Sequence, residues 1–450
     1  MNGISSPSTG TTAIRGPALS FSANPFTGGG EASTVYESDA LIILRDGKIS
    51  AVGDYAATRH LLPDDTPVTA YPDALILPGF IDTHVHYPQT GIIGSHGNQL
   101  LDWLNTYTFP AEQRFASEAH GVETATQFLR ECVRAGTTTA MVYCTVHPQS
   151  VDAFFGVAEK INARMIAGKV LMDRHAPEAL LDTPQSGYDQ SKALLRRWHT
   201  RGRQLYCITP RFAPSSSPQQ LEMAGALWQE FPEAYLQSHV SETRDEIAWA
   251  GQLFPERNGY LDIYAHYGLL GPRAVYGHGV HLTDAELARC HASGTAIAHC
   301  PTSNLFLGSG CLNVHHLQHA SRPVRVGLAS DIGAGTSFSA LQTMNEAYKA
   351  AQSHGNALSA WQAFYLATRG AAHALYLDDR IGSIAPGYEA DLVVLDLKST
   401  PLIAYRMQFC RSLEEALFVQ MTLGDDRATR ATYIAGQLVY DRDRPDTHTF

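Results

Sequence analysis

Residues 75–86 read LILPGFIDTHVH, a β-branched apolar run that ends in two histidines separated by a single residue. A run this apolar fits a strand buried on both faces, as in a parallel sheet. On a strand, His84 and His86 project from the same face, a spacing that can grip one metal ion from one side. Seven more runs of the same texture follow: TTAMVYCTV (138–146), RMIAGKVLMD (164–173), QLYCITPRF (204–212), AYLQSHVSE (234–242), AVYGHGV (274–280), GTAIAHCP (294–301) and RVGLASD (325–331). Helix-like stretches separate them, among them 150–163 and 217–231, with Ser or Pro near their starts. Eight β-α units predict an α/β fold of the (β/α)8 TIM-barrel type, which takes about 250 residues before insertions. Between the first and second runs lie about 50 residues, long enough for a loop over the barrel mouth that acts as a lid.

Both ends of the chain read differently. Residues 40–52, ALIILRDGKISAV, are two β-rich runs joined across Asp46 and Gly47, a hairpin signal. ADLVVLDL at 390–397 follows a Pro386-Gly387 turn, and ATYIAGQLVYDRD at 431–443 pivots near Gly436. The expected organisation is therefore a small β-sandwich domain built from both termini, residues 1–75 and 381–450, around a barrel spanning 76–380. Residues 1–30, rich in Ser, Thr and Gly, are expected to be poorly ordered.

Charge and composition narrow the function. The 450 residues carry 44 acidic against 33 basic side chains, a formal charge of -11, which argues against a general nucleic-acid binder while leaving a free base open. Seven scattered Cys and no C-x-x-C pair indicate reduced thiols rather than a disulfide framework. Met1 to Gly30 holds one basic residue, Arg15, and no long apolar run, so neither a secretion signal nor a membrane anchor is expected; the expected location is the cytoplasm.

In such a barrel, catalytic side chains sit at the carboxyl ends of strands. Singly, each candidate has a plain structural reading: His239 as a satisfied core histidine, His278 in a Gly-His-Gly turn, Asp331 as a helix cap. Together, four His and one Asp at the ends of runs one, five, six and eight converge above the barrel axis. Imidazole and carboxylate donors suit zinc first and iron(II) second. His84, His86, His239 and Asp331 are the expected ligands of one ion per chain, with His278 beside the reacting water as ligand or neighbour. Glu242, three residues after His239, is the candidate proton carrier, against the alternative of a solvated carboxylate at a helix start.

Several stretches resemble the guanine deaminases of the amidohydrolase superfamily: PGFIDTHVHYPQ (78–89), LLDWLNTYTFPAE (100–112), HPQSVDA (147–153), ITPRFAPSSS (208–217), SHVSETRDEIAW (238–249), HCPTSNLFLGSG (299–310), ASDIGAGTSFSALQTMNEAYKA (329–350) and LGDDRATRATYIAGQLVY (423–440). The resemblance implies hydrolysis of guanine to xanthine and ammonia with a single metal. It carries base recognition onto Gln89, Arg211 and Phe212, with His239, Glu242 and Asp331 also reaching the substrate. An amide at Gln89 can donate to and accept from a base edge, a guanidinium at Arg211 can donate to it, and Phe212 can offer a stacking face. Water activated with the aid of Asp331 and His278 is expected to attack the carbon bearing the amine, Glu242 to protonate the adjacent nitrogen, and Glu242 or Asp331 to pass on the second proton. A homodimer is implied as well, with residues 101–110 near its interface.

Three other readings compete: a deaminase of another purine or of a triazine ring; a binuclear cyclic amidase, which would need Lys169 as a metal bridge, although Lys169 falls in mid-strand and reads as structural; and a non-catalytic barrel that lost the chemistry. The other zinc deaminase architecture requires Pro-Cys-x-x-Cys, which this chain lacks.

Overall fold

The computed structural model describes residues 10–97 and 100–444. Eight parallel strands follow one another in chain order around a barrel: Phe80–His86, Thr137–Tyr143, Arg164–Gly168, Leu205–Pro210, Tyr235–Val240, Ala274–His278, Ala296–His299 and Arg325–Leu328. The last is stitched to the first beyond the regular ladder, because Asp331 N–H donates to the His84 carbonyl at 3.0 Å and His86 N–H to that of Ile332 at 2.9 Å. Alternation explains the apolar runs. Met141, Ile166 and Val275 fill the barrel interior, while Val85, Val142 and Leu236 pack outward in the core shared with the helices.

All eight predicted runs contribute a barrel strand, but the first is two strands. Ala74–Pro78 pairs antiparallel with Leu392–Asp396 in a second sheet, and only Phe80–His86 enters the barrel. The chain crosses between sheets at Gly79, where a Cβ would lie 2.2 Å from Thr138 Oγ1. The interval before the second strand also differs from the expected single loop. It holds the helix Glu118–Arg134, capped by Ser117, preceded by short helical turns at Tyr87–Ile92 and from Leu100 to Ala116. The helix-like segments are present as Pro148–Lys160 and Pro218–Glu230, the second capped by Ser217 Oγ accepting from Gln220 N–H at 3.1 Å.

The second sheet has eight strands, drawn from both chain ends. Thr34–Arg45 and Lys48–Asp54 form the predicted hairpin, and Asp46 (φ 51°) and Gly47 (φ 76°) both adopt the left-handed conformation that a tight two-residue turn requires. Of residues 1–30, expected to be poorly ordered, 1–9 lie outside the described residues, whereas Thr12–Phe21 is a central strand of this sheet, burying Ile14, Leu19 and Phe21 and pairing with Thr34–Arg45. Backbone bonds from Ile49 N–H to Tyr388 and from Gly387 N–H to Ile49 draw the sheet's far edge round, so that it curls into a small sandwich with Ile42, Ile76 and Leu392 inside. A buried ion cluster fastens it to the barrel: Arg164 and Arg203 grip Glu389, and Arg203 also pairs with Asp391. Among the described residues, no helix is long and apolar enough to cross a membrane.

Candidate active site

His84 and His86 leave the first barrel strand on one face, as the spacing requires, and both are buried. Asp331 meets them across the barrel closure, with Oδ1 3.4 Å from the Nε2 of each. From the fifth strand, His239 brings its Nε2 to 3.3 Å from His86 Nε2. His278, at the end of the sixth strand, places Nε2 3.8 Å from Asp331 Oδ2 and 3.6 Å from Glu242 Oε2. All five predicted strand-end residues and Glu242 thus meet in one place. His278 (φ 71°) and Asp331 (φ 52°) hold the left-handed backbone conformation, uncommon for residues with a side chain and concentrated at functional sites.

Small residues make room for this packing. Gly277 lies against His84, and a Cβ there would stand 2.5 Å from the His84 Cε1. Other neighbours fix ring orientation. His239 Nδ1–H donates to the Arg211 backbone carbonyl at 2.6 Å, which leaves the Nε2 lone pair facing His86. His278 Nδ1–H donates to Asn304 Oδ1 at 2.8 Å, so its Nε2 faces the two carboxylates.

The donor set fits a divalent cation. Burial, reinforced by the neighbouring imidazoles, holds His86 and His239 well below the ordinary histidine pKa, so both present neutral lone pairs. Those lone pairs converge on one another, and the buried Nε2 of His84 has no hydrogen-bond partner among the described residues. Ligating atoms of His84, His86 and His239 lie within 4.8 Å of one another, as do those of His84, His278, Cys300 and Asp331. Neutral lone pairs and one carboxylate, buried together, repel one another until a cation sits among them.

Glu242 is suited to carry a proton. Burial raises its pKa to about 7, against the opposing pull of His278. Ser309 Oγ donates to its Oε1 at 2.9 Å, leaving Oε2 toward His278. Burial works against a charge on His278, yet Glu242 and Asp331 outweigh it and raise that histidine's pKa. The predicted helix after Glu242 exists as Arg244–Leu253, but it is capped by Thr243 and Glu246, so the competing reading of Glu242 as an exposed helix-start carboxylate does not hold.

One cavity joins this cluster to the residues expected to recognise the base. His86, Gln89, Arg211, Phe212, Glu242 and Asp331 all line it. Arg211 Nη1 lies 2.8 Å from both carboxylate oxygens of Glu112, and Gln89 Nε2 donates to the same carboxylate at 3.4 Å. Gln89 Oε1 accepts from Gly333 N–H at 3.2 Å, so its amide is held at both ends. Glu112, Asn304 and Ser309 were not among the residues singled out from sequence. Each lies inside a quoted stretch, 100–112 or 299–310, but away from any strand end, where the barrel rule offers no signal. Lys169 lies just past the barrel strand Arg164–Gly168 rather than in mid-strand, because the run 164–173 breaks there, but its ammonium is paired with Asp182 and the Val170 carbonyl, a structural role.

The amidohydrolase profile matches residues 75–439. The chain belongs to the amidohydrolase family. This amidohydrolase is 51% identical to guanine deaminase of Escherichia coli K12 over 404 residues, 90% of the chain and 92% of the relative. A solved structure of the E. coli guanine deaminase superposes with a TM-score of 0.93 at 49% identity, covering 96% of this chain and 100% of that one. Guanine deaminase from C. acetobutylicum, solved with guanine bound in its active site, superposes with a TM-score of 0.85 at 28% identity, covering 96% and 100%. Metal dependence is general in the amidohydrolase family, in keeping with the His and Asp cluster.

Proposed function

We propose that this chain hydrolyses guanine to xanthine and ammonia, with one divalent ion, zinc in preference to iron(II), held by His84, His86, His239 and Asp331. The observation that carries the reading is a single buried cavity in which a metal-ligating cluster, a carboxyl group poised near neutrality and an Arg–Gln pair suited to a base edge stand together. Likeness to guanine deaminases over most of the chain supports the choice of base.

When bound, the ion supplies the Lewis acidity that lets water ionise near neutral pH. Arg211 and Gln89 bind the base edge, and Phe212, packed edge-on against Trp249 at 5.9 Å, offers an apolar face to the ring. Asp331 and His278 orient the water and hold its proton. Glu242 Oε2 delivers a proton to the ring nitrogen beside the amine-bearing carbon. The C–O bond forms first, and the C–N bond breaks when the resulting tetrahedral carbon collapses, ammonia leaving with the second proton passed by Glu242 or Asp331.

The expected domain limits near residues 76 and 380 accompany this reading, supported by the change of sheet at Gly79 and the return to the small sheet at Leu392–Asp396. A homodimer joined near residues 101–110 is proposed with it, supported by the exposed Leu101. A reducing, cytoplasmic setting accords with seven free cysteines among the described residues, five of them buried.

The direct test is purified, metallated protein assayed for ammonia release against a panel of purines, pyrimidines and aminotriazines. Guanine is expected to be turned over with the highest kcat/KM; metallated protein that releases no ammonia from guanine overturns the reading.

A further inference from the structure

Arg211 enters the base pocket as half of a buried pair. Glu112, on the helix Phe109–Gln113, is fully buried, and Arg211 is only 3% exposed. The carboxylate meets Arg211 through Nη1 alone, so the other guanidinium N–H groups are not engaged by Glu112. It also accepts from Gln89, and thus touches both polar residues assigned to the base edge.

We infer that Glu112 sets the charge selectivity of the pocket, cancelling the Arg211 cation so that a neutral base binds and an acidic product departs. This rests on guanine being the substrate. Guanine is neutral around pH 7. Replacing its amine by a carbonyl adds a ring N–H to a urea unit and turns the neighbouring lactam N–H into an imide between two carbonyl groups, so the product loses a proton far more readily than the substrate. Against an unpaired buried guanidinium, that product anion would form charge-assisted hydrogen bonds, roughly twice as strong as neutral ones, and would leave slowly. With Glu112 beside it, Arg211 still donates its directional hydrogen bonds but offers no net charge to an anion. A pair retained only for stability would be a weak device, since buried ion pairs often stabilise no more than apolar replacements.

The test is calorimetric titration of xanthine into the metallated protein at about pH 6 and about pH 9, across the product's ionisation, beside steady-state kinetics with guanine. For the wild type, affinity for xanthine is expected to fall or stay level as pH rises; a rise there overturns the inference, whatever any variant does. Glu112→Gln keeps the shape and one acceptor while removing the charge. It is expected to bind xanthine about tenfold more tightly than wild type at the higher pH and equally at the lower, with KM for guanine changed less than about threefold and kcat reduced. Glu112→Asp, which keeps the charge, is expected to behave as wild type toward xanthine. Equal xanthine affinity in Glu112→Gln and wild type at the higher pH, or the same behaviour in both variants, overturns the inference while guanine turnover by wild type leaves the proposed activity standing. Absence of that turnover defeats the activity and this inference with it.

Discussion

The backbone carbonyl of Arg211 accepts the Nδ1–H of His239 at 2.6 Å, so one residue orients a metal-facing imidazole with its main chain and lines the base pocket with its side chain. Metal and base sites are thereby set in register at the mouth of two adjacent strands, Leu205–Pro210 and Tyr235–Val240.

Because the main chain does the orienting, Arg211→Ala should separate the two roles. Turnover of guanine, read as kcat/KM, is expected to fall on the order of 10²–10³-fold while metal content stays near one per chain. Stability should drop by about 3–5 kcal/mol, since Glu112 loses its buried partner. Parallel loss of metal would mean that the side chain supports the ligand cluster instead.

Glu242→Gln preserves shape and removes the proton carrier. A folded, fully metallated protein with kcat lowered about 10²–10⁴-fold is expected. Metal analysis and single-turnover kinetics check this, and near-wild-type kcat would remove Glu242 from proton transfer.

Gly277→Ala puts a methyl group 2.5 Å from the His84 ring, which must move. Metal affinity is expected to weaken about 10–100-fold, as when other groups that orient a ligand are disturbed. Gly156→Ala, where nothing lies within 4 Å of the added Cβ, is the control and should leave metal binding unchanged. Competition with a chelator of known affinity measures both.

Removing the ion leaves lone pairs and a carboxylate facing one another in a buried site. Chelation at neutral pH should lower Tm, and restored zinc should raise it again by the linkage between binding and folding. A Tm indifferent to chelator and to added zinc would argue against a resident ion.

Acid stability should report on the cluster that joins the two sheets. Burial alone would raise the pKa of Glu389, but the hydrogen bond from Arg164 and the charge of Arg203 outweigh it and hold the carboxyl below its ordinary 4.5. A depressed carboxyl contributes stability fully above its unfolded pKa and loses it as pH falls through the folded value, hence below 4.5. The denaturation midpoint of wild type is expected to fall more steeply from about pH 5 to about pH 3 than that of Glu389→Gln. Parallel slopes would remove Glu389 from the acid response.

What sequence alone determined here is what local pattern encodes. Near-continuous β-branched apolar runs specify strands buried on both faces, Asp46-Gly47 specifies a hairpin because both residues tolerate positive φ, and the rule that barrel chemistry gathers at strand ends singles out His84, His86, His239, His278 and Asp331. Assignments that depend on which distant segment packs beside a residue were decided only by tertiary structure. Periodicity reads 75–86 as one strand because Leu75–Pro78 and Phe80–His86 are both buried on two faces; it carries no information on which sheet each one joins. Composition hid the strand Thr12–Phe21, whose partners lie in Thr34–Arg45 and Ala74–Pro78. Glu112, Asn304 and Ser309 acquire their roles from Arg211, His278 and Glu242, which are 99, 26 and 67 residues away along the chain. A buried polar group is defined by its partner, and that partner is chosen by the packing of the whole barrel rather than by its neighbours in sequence.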